Sequence, residues 1–374
     1  MSETDTELIA ALVVRDYGER PRVERVSLSP PRAGEVRVQI RTSGICHSDL
    51  HAISGTLPLP MPIVLGHEAS GVVTRIGPGV RRVKPGDRVV VTWIPSCGRC
   101  FWCVNGQPEL CEEANRGSVE GTSADGDSHL SWQGEPLYPF SWAGTLADAV
   151  VVPESAVIPI AADVPWDEAA LLGCAVQTGV GAALHSPIRA GDTVLVIGLG
   201  GVGQNIVQGA RIAGAARILA MDPVAAKRDL ALTLGATDAI DPAADDPLTA
   251  VLDLTGDRGV DVAFEAVGQP DLIALAFNAV RRGGTAVAVG VPSPELDLTV
   301  NAFAFPSQEK TLTGSWLGGS YPPRDIPRLI ELWRSGRLQL SPLLSRPFRL
   351  SEAPAALDAL AHGQILRGIV RLSD

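Results

Sequence analysis

The stretch Gly198-Leu199-Gly200-Gly201-Val202-Gly203 restricts this chain more than any other. It follows an apolar run, Thr193-Val194-Leu195-Val196-Ile197, and opens a segment of helical periodicity that reaches Ala213. Glycines spaced this way between a strand and a helix let the backbone approach a pyrophosphate, while the helix N-terminus offers N–H donors and partial positive charge. Asp222 ends the next predicted strand, about twenty residues on, where a carboxylate can bind the adenosine ribose diol. That carboxylate would repel a 2′-phosphate, so the pattern favours NAD over NADP; Lys227 and Arg228 are nearby cations that offset part of the repulsion. A plain helix-packing turn would account for the glycines but not for Asp222.

The surroundings agree with this reading. Strands are predicted at 193–197, 217–221, 260–264 and 285–289, with helices over 201–213, 224–234 and 271–280. Apolar runs of about five residues alternating with helices indicate a parallel sheet covered on both faces. Before it, residues 1 to about 160 read as β-rich: 25–28, 36–40, 71–77 and 87–91 suit half-buried strands, and Gly77-Pro78-Gly79 and Pro85-Gly86 mark turns. The segment 116–142 carries Gly, Ser and Asp with scattered Trp and Tyr and reads as a long loop. After the sheet, 296–300 reads as an edge strand that pairs across a two-fold axis. A helix near 324–335, another over 353–361 and a strand over 365–372 then return to the style of the first region.

Four of the six cysteines, Cys97, Cys100, Cys103 and Cys111, fall within fifteen positions. Four thiolates complete a tetrahedral zinc and leave no position for substrate, so this cluster holds a lobe together. An iron–sulfur cluster uses similar spacing but is usually followed by Cys-Pro, and Cys111 is followed by Glu112. Four unliganded thiols at this density would invite oxidation.

The other two cysteines belong to a different set. Cys46-His47-Ser48-Asp49-Leu50-His51 is joined through a Pro-rich turn to Gly66-His67-Glu68, and Cys174 lies far downstream. Two cysteines and one histidine leave a tetrahedral zinc one ligand short, and a catalytic zinc needs that open position for water or substrate.

Together these residues resemble the zinc-dependent medium-chain alcohol dehydrogenases over nearly the whole chain. Two Cys and one His are that family's known catalytic ligand set, and the assignment of these three residues rests on the likeness. The resemblance implies an α/β fold: a GroES-like β-rich catalytic domain over 1–177 and 319–374, with a Rossmann domain, 178–318, inserted as a doubly wound parallel sheet. It implies NAD and two zinc ions per chain. Cys46, His67 and Cys174 match the catalytic ligands, and Asp49 and Glu68 match acids behind them. Ser48 matches the hydroxyl that takes the alcohol proton, and His51 the outer member of the relay to solvent. His47 and Arg367 match basic residues near the pyrophosphate, and Thr178 and Val202 match residues packing on the nicotinamide. Leu57, Trp93, Phe140, Trp142 and Trp316 match pocket positions, an apolar slot that favours unbranched or aromatic primary alcohols over sugars. Length and the long loop are most similar to the family's dimeric type, which implies a homodimer.

Competing readings follow from the same residues. Glutathione-dependent formaldehyde oxidation is a family variant, yet 55–59 (Gly-Thr-Leu-Pro-Leu) is apolar where those members carry acids; a different thiol carrier stays open. NAD could also remain bound and be recycled by an external acceptor. A nucleotide-binding scaffold or redox sensor is the non-enzymatic reading, and such relatives usually lose zinc ligands that are kept here. The net charge of -11 argues against nucleic acid and anionic membrane as partners. An acidic N-terminus, the absence of an apolar run near the length of a membrane span and clustered cysteines suggest a cytoplasmic protein.

Overall fold

The computed structural model describes residues 6–123, 126–244 and 246–372. The acidic start, residues 1–5, lies outside the described residues, as do 124–125 within the segment read as a loop. Two compact units emerge: Met1–Cys174 with Tyr321–Glu331 and Leu344–Asp374, and Ala175–Ser320 with Leu332–Leu343.

In the first unit five strands close a barrel, in the order Glu7–Val14, Arg22–Leu28, Leu130–Trp132, Glu135–Pro139, Ile63–Val64. A seven-stranded sheet runs Val157–Pro159, Arg88–Val91, Ala69–Ile76, Glu35–Ile45, Arg367–Arg371, Leu344–Arg349, with Ala149–Pro153 also paired to Glu35–Ile45. The strand Glu35–Ile45 is the hub. Ser43 lies opposite Ala69 and Ile45 opposite Gly368, so the residue just past its end, Cys46, emerges beside Glu68 and Arg367.

The second unit holds a six-stranded, all-parallel sheet ordered Asp238–Ile240, Arg217–Met221, Thr193–Ile197, Val260–Glu265, Val280–Ala288, Thr311–Gly314. Every residue of Thr193–Ile197 is buried, as a central strand covered on both faces requires. Winding reverses between Thr193–Ile197 and Val260–Glu265, and ligands of such sheets bind at the carboxyl ends beside that reversal. Gly198 and Glu265 stand there.

Three expectations need correction. Much of the segment read as a long loop is ordered into helix Glu112–Glu120 and strands Leu130–Trp132 and Glu135–Pro139, because the strands complete the barrel. Gln133 and Gly134, with φ of 55° and 88°, form the tight turn between them, and that dipeptide is the signal the sequence offered. Residues 296–300 are not a strand; Leu296 and Leu298 are exposed, and the sheet edge belongs to Thr311–Gly314. Finally, residues 332–343 pack with the second unit and not with the rest of 319–374. The buried Gln208 amide donates to Gln339 O at 2.9 Å and accepts from Gln339 N at 2.8 Å, which ties that segment to helix Gly201–Ala213.

Candidate active site

Cys46 follows the hub strand and precedes helix His47–Ser54. Asp49, fully buried, accepts from Cys46 N at 2.9 Å through one oxygen and from Gly66 N at 2.9 Å through the other. One carboxylate thus joins the two segments that carry the first two candidate ligands. Gly66 has φ of 91°, and a Cβ there would lie 2.5 Å from Leu146 N, so only glycine fits. Cys174 reaches the same place because Gly173 lies flat on Val91 and Glu68; a Cβ would meet Val91 O at 2.5 Å. The ligand atoms of Cys46, His67 and Cys174 all lie within 4.8 Å of one another, and all three residues are buried.

Electrostatics favour a metal there. The Cys46 thiol is held well below its ordinary range, chiefly by its hydrogen bond with Cys174; burial opposes this, and the charges of Arg367 and His67 assist. Burial also disfavours a charged His67, yet Asp49 and Cys46 prevail and draw the imidazole up to about 9. Asp49 Oδ1 stands 3.8 Å from His67 Nδ1, so it acts on the ring as a charge and not as a hydrogen-bond acceptor. Nδ1 is buried without a hydrogen-bond partner. Two thiols and one imidazole so placed fit a tetrahedral zinc with one coordination position left for substrate.

Behind this set, Glu68 and Arg367, both buried, form an ion pair. Arg367, expected near a pyrophosphate, is therefore engaged with Glu68. Ser48 Oγ lies 3.6 Å from Cys46 Sγ and is half-buried. His51, one turn further along the same helix, has its pKa lowered first by burial and then by His47, with Cys46 acting the other way. Its ring stands 5.6 Å from that of His47, which is exposed.

Two aromatic rings meet His67 edge-on: Phe140 at 5.2 Å and Trp93 at 6.3 Å between centroids. Leu57, half-buried, packs on the core of Leu12, Ile45 and Phe140. Its loop is fastened by a residue that sequence reading missed. The Tyr17 hydroxyl accepts from Leu59 N at 2.7 Å and donates to Leu59 O, and a Cβ on Gly55 would touch the Tyr17 ring at 3.2 Å. Trp142, expected in the pocket, instead lays its indole on helix Glu112–Glu120, donating from Nε1 to Ala114 O at 2.6 Å. Trp316 belongs to the second unit and is partly exposed.

The sulfurs of Cys97, Cys100, Cys103 and Cys111 also lie within 4.8 Å of one another. Backbone amides point at them: Cys97 N to Cys111 Sγ at 3.3 Å and Cys100 N to Cys97 Sγ at 3.4 Å. Hydrogen bonding, first from the Cys103 backbone, brings the Cys100 thiol down to about 6, while burial pushes Cys103 up to about 12. Four sulfurs fit a closed zinc site.

In the second unit, a Cβ on Gly203 would lie 1.8 Å from Gly198 O, and one on Gly198 would strike Val267 at 2.4 Å. Gly200 is different: a Cβ there would meet nothing within 4 Å, which leaves a bare stretch of backbone where a pyrophosphate could approach. Asp222 is buried and accepts from Leu199 N at 2.8 Å and Val224 N at 2.9 Å, so it also braces the glycine turn. Arg228 is bound to Asp222 O at 2.7 Å and Asp241 at 2.9 Å; Lys227 is half-buried. Gly179 lets the helix bearing Thr178 close on the helix bearing Val202, since a Cβ would lie 2.4 Å from Val202 O. Sequence reading also missed Glu265, fully buried, which accepts from Val267 N and Gly268 N, each at 2.7 Å; burial raises its pKa. No helix among the described residues is long and apolar enough to cross a membrane.

Residues 32–162 match the alcohol dehydrogenase GroES-like domain, and residues 201–335 match the zinc-binding dehydrogenase family. The chain is 37% identical to the NDMA-dependent alcohol dehydrogenase of Amycolatopsis methanolica, over 96% of this chain and 98% of that one. Benzyl alcohol dehydrogenase from Acinetobacter calcoaceticus superposes with a TM-score of 0.93 at 29% identity, covering 98% of this chain and 100% of its own. A zinc-binding dehydrogenase from Sinorhizobium meliloti 1021, solved with NADP, gives 0.81 at 27% identity over 98% and 100%.

Proposed function

The chain belongs to the zinc-dependent medium-chain alcohol dehydrogenases, and from that premise we propose that it oxidises primary alcohols, aliphatic or aromatic, to aldehydes with NAD. The observation that carries this reading is the buried Cys46–His67–Cys174 set with Phe140 and Trp93 against its imidazole. Zinc held there supplies Lewis acidity that lowers the pKa of an alcohol hydroxyl. The dinucleotide, when bound, supplies the hydride acceptor.

The remaining work falls to side chains. Asp49 fixes the two early ligand segments. Ser48 takes the hydroxyl proton and His51 passes it towards solvent. A lowered pKa keeps His51 neutral, and so able to accept, near neutral pH. Phe140 and Trp93 exclude water and select flat or unbranched substrates. Asp222 binds the adenosine ribose; with Arg228 engaged by Asp241 and by Asp222 O, only Lys227 is left of the two nearby cations, which supports NAD over NADP. A cytoplasmic homodimer is part of the proposal. Six free cysteines suit a reducing compartment, and the outer edge of Thr311–Gly314 offers a sheet edge for a second copy.

A panel of alcohols, followed by the absorbance of reduced nicotinamide with metal content measured on the same sample, tests this. Benzyl and short-chain alcohols should lead in kcat/KM, and faster polyols would overturn the substrate class. His67→Ala should lose the metal and nearly all turnover.

A second reading is motivated by the NDMA-dependent relative. NAD could stay bound and be reoxidised in place by an external acceptor. Nucleotide that survives gel filtration, with turnover on NDMA and none on added NAD, would select it.

A further inference from the structure

We propose that Trp142 is a positioning residue that couples the four-cysteine lobe to His67, so that the integrity of the lobe sets the geometry of the three-ligand centre. This rests on the metal-site reading above and adds a link between two sites that reading treats separately.

The link is continuous through one chain segment. Cys111 directly precedes helix Glu112–Glu120, at its N-cap position. Ala114 and Gly117, one turn apart, are buried residues of that helix. The Trp142 indole donates to Ala114 O at 2.6 Å and lies so close to Gly117 that a Cβ there would be 2.1 Å from the ring. The helix that follows the lobe's last cysteine therefore fixes the indole by a directional hydrogen bond and by surface contact. Two residues before it, Phe140 places its ring 5.2 Å from that of His67 at 82°. Three and four residues after it, Thr145 N donates to Gly66 O at 2.9 Å and Leu146 N to Leu65 O at 2.9 Å; 65 and 66 are the two residues that lead into His67. One short segment, 140–146, thus spans from the lobe helix to both the ring and the backbone approach of the histidine.

The backbone explains why the anchor matters. Ser141 and Trp142 both hold left-handed conformations, with φ of 48° and 68°. Consecutive non-glycine residues stay in that region only when their surroundings over-determine them. The indole held on Ala114 and Gly117 is that determinant. Released from it, the segment relaxes towards an ordinary conformation, withdraws Phe140 and loosens the bonds to 65 and 66. A displacement of the order of 1 Å at a catalytic centre can cost roughly a hundredfold in rate.

Cobalt(II)-loaded protein tests the coupling, because its visible spectrum reports ligand geometry without any turnover; bands missing in His67→Ala identify the three-ligand centre. Trp142→Phe removes the donor and keeps most of the bulk, Gly117→Ala pushes the ring away, and Cys103→Ser breaks the lobe. Each should shift the His67-dependent bands. The first two should lower kcat for benzyl alcohol roughly ten- to a hundredfold with KM for NAD unchanged. Trp102→Phe, a lobe tryptophan packed on Phe101 and off this path, should move neither. Wild-type cobalt bands in either Trp142→Phe or Gly117→Ala overturn the coupling whatever their activity, as do wild-type bands in Cys103→Ser. If the wild-type protein oxidises no alcohol, the spectra still decide this question and the functional proposal fails by itself.

Discussion

His51 shows how a single ring responds to its setting. Burial and His47 lower its pKa below the ordinary value, so the folded protein holds it neutral. As pH falls, the unfolded chain takes up the proton first, near 6.5. Stability from this group is therefore intact above that value and declines as pH drops through it towards the folded pKa. For turnover the sign is the same: the acid limb of the kcat profile should lie below 6.5. His51→Gln should remove that limb and lower kcat by roughly a hundredfold at neutral pH, as general-base losses do; a limb that persists in the variant assigns the titration elsewhere. Asp49 gives a second prediction. Its loss in Asp49→Ala leaves the amides of Cys46 and Gly66 buried without their acceptor, costing roughly 3 kcal/mol in urea unfolding, together with zinc. The four-cysteine cluster was legible in the sequence because thiols at metal spacing carry their chemistry in their type, whereas Cys46, His67 and Cys174 were legible through the family likeness. Tyr17, Glu265 and the true place of Trp142 were not, since an ordinary tyrosine, glutamate or tryptophan takes on such a role only through tertiary contacts.

The glycine turn is where two neighbouring positions separate folding from binding. Gly203→Ala would drive a Cβ into Gly198 O, and overpacking of this kind costs roughly 1–3 kcal/mol, so both melting temperature and dinucleotide affinity should fall. Gly200→Ala meets no protein atom, and its φ of -70° suits alanine. That variant should melt at or slightly above the wild-type temperature while calorimetry shows weakened NAD binding; unchanged affinity would place the pyrophosphate elsewhere. The parallel sheet was readable because its strands are apolar on both faces and its helices have a clear period. The barrel was not: Ile63–Val64 and Leu130–Trp132 are too short for any periodicity, and they become strands only through partners distant in sequence. An edge strand was expected at 296–300, where the leucines alternate. The ladder to Val280–Ala288 went instead to Thr311–Gly314, which has less apolar character but the correct register.

For the whole molecule, two compact units, one containing both sulfur-rich centres and the other the glycine turn, should unfold separably. Scanning calorimetry should resolve two transitions. A chelator should lower one and leave the other, and NAD should raise the second in proportion to the logarithm of its concentration. A single transition displaced equally by both additions would contradict this. The sequence boundaries at 177 and 318 lie beside the observed divisions at 174 and 320, but the return of 332–343 to the second unit left no trace in composition. It depends on the buried Gln208 amide finding the backbone of Gln339, a pairing across more than a hundred residues.

The clasp of Tyr17 on Leu59 has an implication for how such a chain can diversify. With the far end of the loop pinned by that hydroxyl and its near end by the ring lying on Gly55, the intervening Thr56, Leu57 and Pro58 make up a short panel whose middle residue packs on the core that includes Phe140. None of the three belongs to either cluster of candidate metal donors. A library confined to those positions should therefore retarget the enzyme to new alcohols at wild-type zinc loading, giving evolution and the engineer the same inexpensive dial.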